Sequence, residues 1–166
     1  VNHVSSSSAS FVDWCARGEA SPSAGMFLTM ASVFPEGATE HDLTTVYRPR
    51  PGVPFTPYRV AGEQRLVWTT FTPQQIDIDV AHPAAQRYLD AILDEVSRAG
   101  VTMVRLDAVG YAIKTAGTTC FMTDDTYGFI EEFAEKARAK GVEVLVEVHS
   151  YFERQIEIGA AVDRVY

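Results

Sequence analysis

Two apolar runs, each closed by a carboxylate, constrain this chain more than anything else in it. Val101-Thr102-Met103-Val104-Arg105-Leu106 runs into Asp107, and Val142-Glu143-Val144-Leu145-Val146 runs into Glu147. Short β-branched runs of this kind predict buried parallel strands. A carboxylate at the end of such a strand has no packing reason to be there, because an unpaired buried charge is costly. Between the runs, residues 123–141 predict a helix. Thr123 or Asp124 can cap its start, and Gly141 follows its last turn. Phe129, Ile130, Phe133, Ala134 and Ala137 recur at helical spacing. Strand, helix, strand makes a right-handed βαβ unit, whose parallel strands are most often neighbours about 4.8 Å apart.

Asp107 and Glu147 are therefore expected side by side at one end of a sheet. Carboxyl groups about 5 to 5.5 Å apart suit a retaining mechanism, with one nucleophile and one acid/base. The alternative is that each carboxylate simply pairs with a nearby cation. Alternation puts Arg105 on the same face as Asp107, where its charge would keep that carboxylate ionised, as a nucleophile requires. Glu147 has no cation within two positions on its own strand. Burial is then expected to favour its protonated form, as a general acid requires. His149 shares a face with Glu147, and both a substrate contact and a structural hydrogen bond are open to it.

The pattern is also regular between residues 83 and 100. Pro83 suits a first helical position, Tyr88, Leu89, Ile92, Leu93 and Val96 form an apolar face, and Gly100 ends the helix. Residues 1–82 are instead rich in turn residues, including Pro22, Pro35-Glu36-Gly37, Pro49, Pro51-Gly52, Pro54 and Pro57. A short helix is expected over Ser10 to Arg17, stopped by Gly18, with short strands over Leu43 to Tyr47 and Arg65 to Thr70. The composition of Ser5 to Ser10 allows a linker. Tyr47 and Arg50 sit in a loop stiffened by prolines, where Arg50 could bind phosphate bidentately or be a solvated surface side chain. His41 and His82 are expected on the surface.

Composition narrows the partners. Asp and Glu outnumber Lys and Arg by 22 to 14, a net charge of −8, which argues against nucleic acid or an anionic membrane. No apolar run reaches the roughly eighteen residues of a membrane span. Cys15 and Cys120 form no metal or redox motif, and a reduced cytoplasmic setting is the simplest expectation.

Several stretches go further. Arg105-Leu106-Asp107-Ala108-Val109-Gly110-Tyr111 resembles the nucleophile strand of the α-amylase superfamily, glycoside hydrolase family 13. Glu147-Val148-His149-Ser150-Tyr151 resembles the acid/base strand of one branch of it, the sucrose phosphorylases, and Asn2-His3 resembles the end of the third barrel strand. Met26 to Met30, Tyr47 to Gly52, Phe71 to Asp77 and Ala116 to Met122 match in the same order.

The resemblance implies an α/β fold: a partial (β/α)8 TIM barrel, about strands three to six, with an inserted irregular α+β second domain. Residues 1–82 would be the end of strand three plus the insert. Residues 83–166 would run from helix three through strand five to the start of strand six. It implies Asp107 as nucleophile and Glu147 as acid/base. It implies His3, Arg105, Tyr47, Arg50, Phe71, Gln75, Tyr111 and His149 as substrate-binding residues. On the residues alone, Phe71 and Tyr111 could equally be packing aromatics and Gln75 a surface amide.

The implied reaction converts sucrose and inorganic phosphate to α-glucose 1-phosphate and fructose, with no metal or organic cofactor. The superfamily's third catalytic carboxylate would lie outside this chain. The chain is accordingly expected to be the central portion of a longer enzyme, inactive alone, whose full-length form could be a homodimer. Sister phosphorylases acting on glucosylglycerate, glucosylglycerol or sucrose 6′-phosphate are the nearest alternatives. A non-catalytic barrel homologue and an α-glucan hydrolase are more distant ones.

Overall fold

A computed structural model describes residues 1–148 and 151–166. In chain order the elements are β1 (His3–Ser5), α1 (Ala9–Arg17), α2 (Met30–Val33), α3 (Glu40–Thr45), β2 (Phe55–Val60), β3 (Glu63–Trp68), β4 (Gln75–Asp77), α4 (Pro83–Arg98), β5 (Met103–Leu106), α5 (Asp124–Arg138), β6 (Glu143–Val146), α6 (Phe152–Ala161) and β7 (Arg164–Val165). The result is a mixed α/β chain. From α4 onward helices and strands alternate, and β5, β6 and β7 form a parallel sheet in that order. Before α4 the pairings are antiparallel: β2 with β3, and β1 with β4, where His3 lies opposite Asp77.

The parallel sheet forms for the reasons its sequence suggests. Val144 and Val146 of β6 are buried under Phe129, Ile130, Phe133, Ala134 and Ala137 of α5, all in one hydrophobic core. That core also takes in Leu89 and Leu93 of α4, and Phe11, Phe27, Ile76 and Ile78 from the first half of the chain. A smaller core gathers Leu28, Val33, Phe34, Trp68 and Cys120.

Three local expectations need correcting. Residues 43–45 are helical, not extended. Thr39 and Asp42 form a reciprocal capping box, with Asp42 N–H donating to Thr39 Oγ1 at 3.2 Å and Thr39 N–H to Asp42 Oδ2 at 2.9 Å. That cap outweighs the weak strand preference of Thr44, Thr45 and Val46. The serine stretch is no linker, since Ser8 caps α1 through a bond from Phe11 N–H. His82, half-buried, adds to its expected surface position a role as the N-cap of α4, its Nδ1 accepting from Ala84 N–H at 3.2 Å. Finally, β5 is not buried on both faces. It lies at the edge of its sheet, with Met103 and Arg105 exposed and Leu106 buried. The expected strand at 65–70 is found two residues earlier, as β3.

Candidate active site

The register of the parallel sheet brings the two carboxylates together. Leu106 pairs with Val146, and Glu147 N–H donates to the Leu106 carbonyl at 3.3 Å. The residues that follow each strand, Asp107 and Glu147, therefore emerge side by side at the same end of the sheet. Their side chains are close enough to hydrogen-bond each other. Just beyond, Ala108 adopts a left-handed conformation (φ 53°), and its N–H donates to Glu147 Oε2 at 3.1 Å. A non-glycine residue there is strained, and the bond to Glu147 is one compensation for it.

Arg105 ties the pair together. Its Nη1 lies 2.5 Å from Asp107 Oδ1 and its Nη2 lies 3.1 Å from Glu147 Oε2. Its Nε donates to the Tyr166 hydroxyl at 2.6 Å. Glu147 thus does have a cationic partner, but from the neighbouring strand, which a reading along its own strand misses. Partial burial acts to raise the Asp107 pKa, yet hydrogen bonds from Arg105 and Glu147, with the Arg105 charge, hold it below the ordinary carboxylate value. The Asp107 side chain is 60% exposed and that of Glu147 19%, so the nucleophile candidate is the more open of the two.

A row of rings runs beside the pair. His3 meets Phe71 edge-on with ring centres 5.7 Å apart, and Phe71 meets Tyr111 at 5.2 Å. Tyr111 stacks on Tyr47 at 6.1 Å, and Phe121 packs against both. Gly110 permits this. A Cβ there would come within 2.8 Å of both Phe121 and Met122, so only glycine lets the 119–122 loop lie against the turn that carries Tyr111. The Tyr111 phenol is pushed up to about 12, by burial first and then by Tyr47, and is a neutral donor at physiological pH.

His3 and Gln75 meet diagonally across β1 and β4. Asn2 Oδ1 lies 3.2 Å from His3 Nδ1 and can only accept, so Nδ1 carries the proton. His3 Nε2 is then an acceptor for Gln75 Nε2, at 2.9 Å, while Gln75 Oε1 accepts from Thr72 Oγ1 at 3.0 Å. Burial lowers the His3 pKa, in keeping with the neutral ring this network requires.

The remaining candidates divide. Tyr47 joins the ring row. Arg50 is exposed, lining an open groove of about 660 Å³ with Tyr47, Arg48 and Thr119, and makes no ion pair among the described residues. His149 lies outside the described residues. Sequence reasoning singled out Arg50 and passed over Arg48. Arg48 holds the loop in place by donating to the carbonyls of Gly52, Val53, Thr69 and Thr70. It also passed over Phe121, and over the ion pair of Asp77 with Lys114, whose partners sit far apart in sequence and leave no local signal. Among the described residues no group of three or more His, Cys, Asp and Glu side chains is placed to hold a metal ion.

No family model matches the chain. It is 57% identical over 167 residues to a sucrose phosphorylase of Agrobacterium vitis, covering all of this chain and 34% of the relative. It is 54% identical over 166 residues to the sucrose phosphorylase of Bifidobacterium adolescentis, covering all of this chain and 33% of that protein. Its structure superposes on the crystal structure of a sucrose 6F-phosphate phosphorylase from Thermoanaerobacter thermosaccharolyticum with a TM-score of 0.92 at 36% identity, covering all of this chain and 35% of the other. The chain thus spans about a third of the length of the relatives it matches. By sequence, the whole of this chain is similar to a stretch of the sucrose phosphorylases of glycoside hydrolase family 13.

Proposed function

We propose that this chain supplies the nucleophile and the acid/base of a longer phosphorylase that transfers glucose from sucrose to inorganic phosphate with retention. The observation that carries this reading is one guanidinium, Arg105, bridging two carboxylates at the ends of adjacent parallel strands. Hydrogen bonds and the Arg105 charge hold Asp107 ionised, as the nucleophile of a double displacement needs.

In the first step an Asp107 oxygen attacks the anomeric carbon of the glucosyl unit. The bond to the fructosyl oxygen breaks, and Glu147 gives that oxygen its proton. Fructose leaves, and a β-glucosyl ester remains on Asp107. In the second step a phosphate oxygen attacks the same carbon from the opposite face. Glu147 takes up any proton it loses, the ester bond breaks, and α-glucose 1-phosphate is released. His3 and Phe71 are read as contacts to the glucosyl ring, with Gln75, Tyr47 and Tyr111 toward the leaving group and acceptor. Arg50 and His149 are read as the groups that favour phosphate over water. The aromatic wall, with Tyr111 buried within it, also limits water access beside the ester.

The experiment is to incubate the full-length protein with sucrose, with and without phosphate. Phosphate-dependent fructose release with stoichiometric glucose 1-phosphate is expected. Equal release of glucose and fructose regardless of phosphate would overturn the reading. So would faster turnover of sucrose 6′-phosphate, which would favour the sister activity instead.

A further inference from the structure

We propose that Asp77 and Lys114 are positioning residues, a buried ion pair that sets His3, Phe71 and Tyr111 in place relative to the two carboxylates. The inference rests on the functional reading above and names the device that organises its sugar-binding wall.

Lys114 Nζ lies 2.9 Å from Asp77 Oδ2, and the two side chains are 1% and 0% exposed. Around this pair three distant stretches of chain meet. Thr70 donates to Asp77 twice, from its N–H at 2.9 Å and its hydroxyl at 2.6 Å. Asn2 Nδ2 donates to Asp77 Oδ2 at 3.4 Å. Lys114 also donates to the Tyr111 carbonyl, and its ammonium sits 5.6 Å from the centre of the Trp68 ring.

Each arm ends on a site residue. Asn2 uses its amide NH₂ on Asp77 and its oxygen on His3 Nδ1, so the ion pair fixes both the tautomer and the tilt of that imidazole. Thr70, held twice, immediately precedes Phe71. The Tyr111 carbonyl is held directly. The three rings so fixed are the ones in edge-on contact beside Asp107.

Energetics favour a geometric role over a purely stabilising one. Burying two charges costs much of what their attraction returns, and apolar side chains of similar volume often do as well for stability. Apolar packing, however, tolerates small slides and rotations. Directional bonds from one carboxylate and one ammonium to fixed donors and acceptors do not. A sugar site needs that precision, since a misplacement of about 1 Å can cost about 100-fold in rate.

The test uses the full-length protein and the variants Lys114→Met, Asp77→Asn, their double, and Lys114→Arg. Wild-type turnover of sucrose and phosphate is measured first, which judges the functional reading by itself. Each single variant should lower the unfolding temperature, because it strands a buried charge. The double should recover much of that temperature yet keep a loss of about 100-fold in kcat/KM. Lys114→Arg keeps the charge in a different shape and should fold near the wild-type temperature with a similar loss. Recovery of kcat/KM in step with unfolding temperature, or wild-type kcat/KM in Lys114→Arg, would overturn the proposal. Should the wild type show no turnover, crystal structures of wild type and Lys114→Arg decide. Displacement of the His3, Phe71 and Tyr111 rings relative to Asp107 and Glu147 supports positioning, and unmoved rings refute it.

Discussion

The guanidinium of Arg105, carried on β5, closes to 3.1 Å on Glu147 at the end of β6. Because the same group also holds Asp107, one side chain would set the electrostatics of both halves of the proposed reaction. A lysine has one compact charge and cannot span two carboxylates and the Tyr166 hydroxyl in a plane. Arg105→Lys in the full-length enzyme should therefore lower kcat/KM by about 100- to 1000-fold, comparable with losing a preorganised donor. It should also move the acidic limb of the pH–rate profile upward. In the wild type, Asp107 titrates below its ordinary value of 3.8, so activity lost on acidification should persist to lower pH than in the variant. An unchanged acidic limb would mean that Arg105 does not tune the nucleophile.

The two carboxylates should separate by their response to leaving group. On the proposed mechanism, Asp107→Asn replaces the nucleophilic carboxylate with a neutral amide, so no glucosyl intermediate should form from any donor. Glu147→Gln removes only the proton. It should cost about 100- to 10,000-fold with sucrose and far less in the first step with glucosyl fluoride, whose leaving group needs no protonation. Mass spectrometry of the trapped ester, with stopped-flow rates for the two donors, checks both. Equal losses on the two donors would remove Glu147 from its acid role.

His3 gives a pH prediction with a definite sign. Its folded pKa lies below the unfolded reference of 6.5, because burial disfavours the charged ring. Above pH 6.5 both states are neutral there and the full stability is present. As pH falls from about 6.5 toward the depressed folded value, the unfolded chain binds the proton first, so stability declines. Protonation would also turn Nε2 into a donor facing the Gln75 amide and break that bond. NMR titration should place the His3 midpoint below 6.5, and His3→Asn should flatten this part of the stability profile. A midpoint at or above 6.5 would contradict the buried, Nδ1-protonated ring.

The parts of this architecture that sequence makes visible are those with a local period. Helices α4 and α5 announce themselves by apolar spacing and by Gly100 and Gly141, and β5 and β6 by their β-branched runs. The Leu43 to Tyr47 stretch misleads because Thr44, Thr45 and Val46 look extended, while the decisive Thr39–Asp42 box lies outside that stretch. At the site, the carboxylates are legible because each ends a strand of its own. The rest of their chemistry is not. Arg105 reaches Glu147 across strands, Arg48 rather than Arg50 holds the 47–53 loop, and Asp77 meets Lys114 from 37 positions away. Such pairings depend on the register between elements, and no window along the chain contains both partners.

The last prediction concerns the chain alone. Both outer strands of its parallel sheet, β5 and β7, present an unpaired edge among the described residues. Tyr88, Ile92, Val101 and Met103 are exposed, as are Tyr151, Phe152 and Ile156 on the α6 side. Covering such side chains is worth about 1.5 to 3 kcal/mol each. Leaving several open consumes much of a typical margin of about 5 to 15 kcal/mol. Open edges and apolar surface of this kind also invite association between chains. Residues 1–166 expressed by themselves should therefore unfold without a sharp transition, self-associate in sedimentation, and release no fructose from sucrose and phosphate. The full-length protein should do none of the first two and should turn over. A monomer of residues 1–166 that melts cooperatively would show that the α5–β6 core suffices for stability, and turnover by it would show that Asp107, Glu147 and Arg105 need no group from outside this chain.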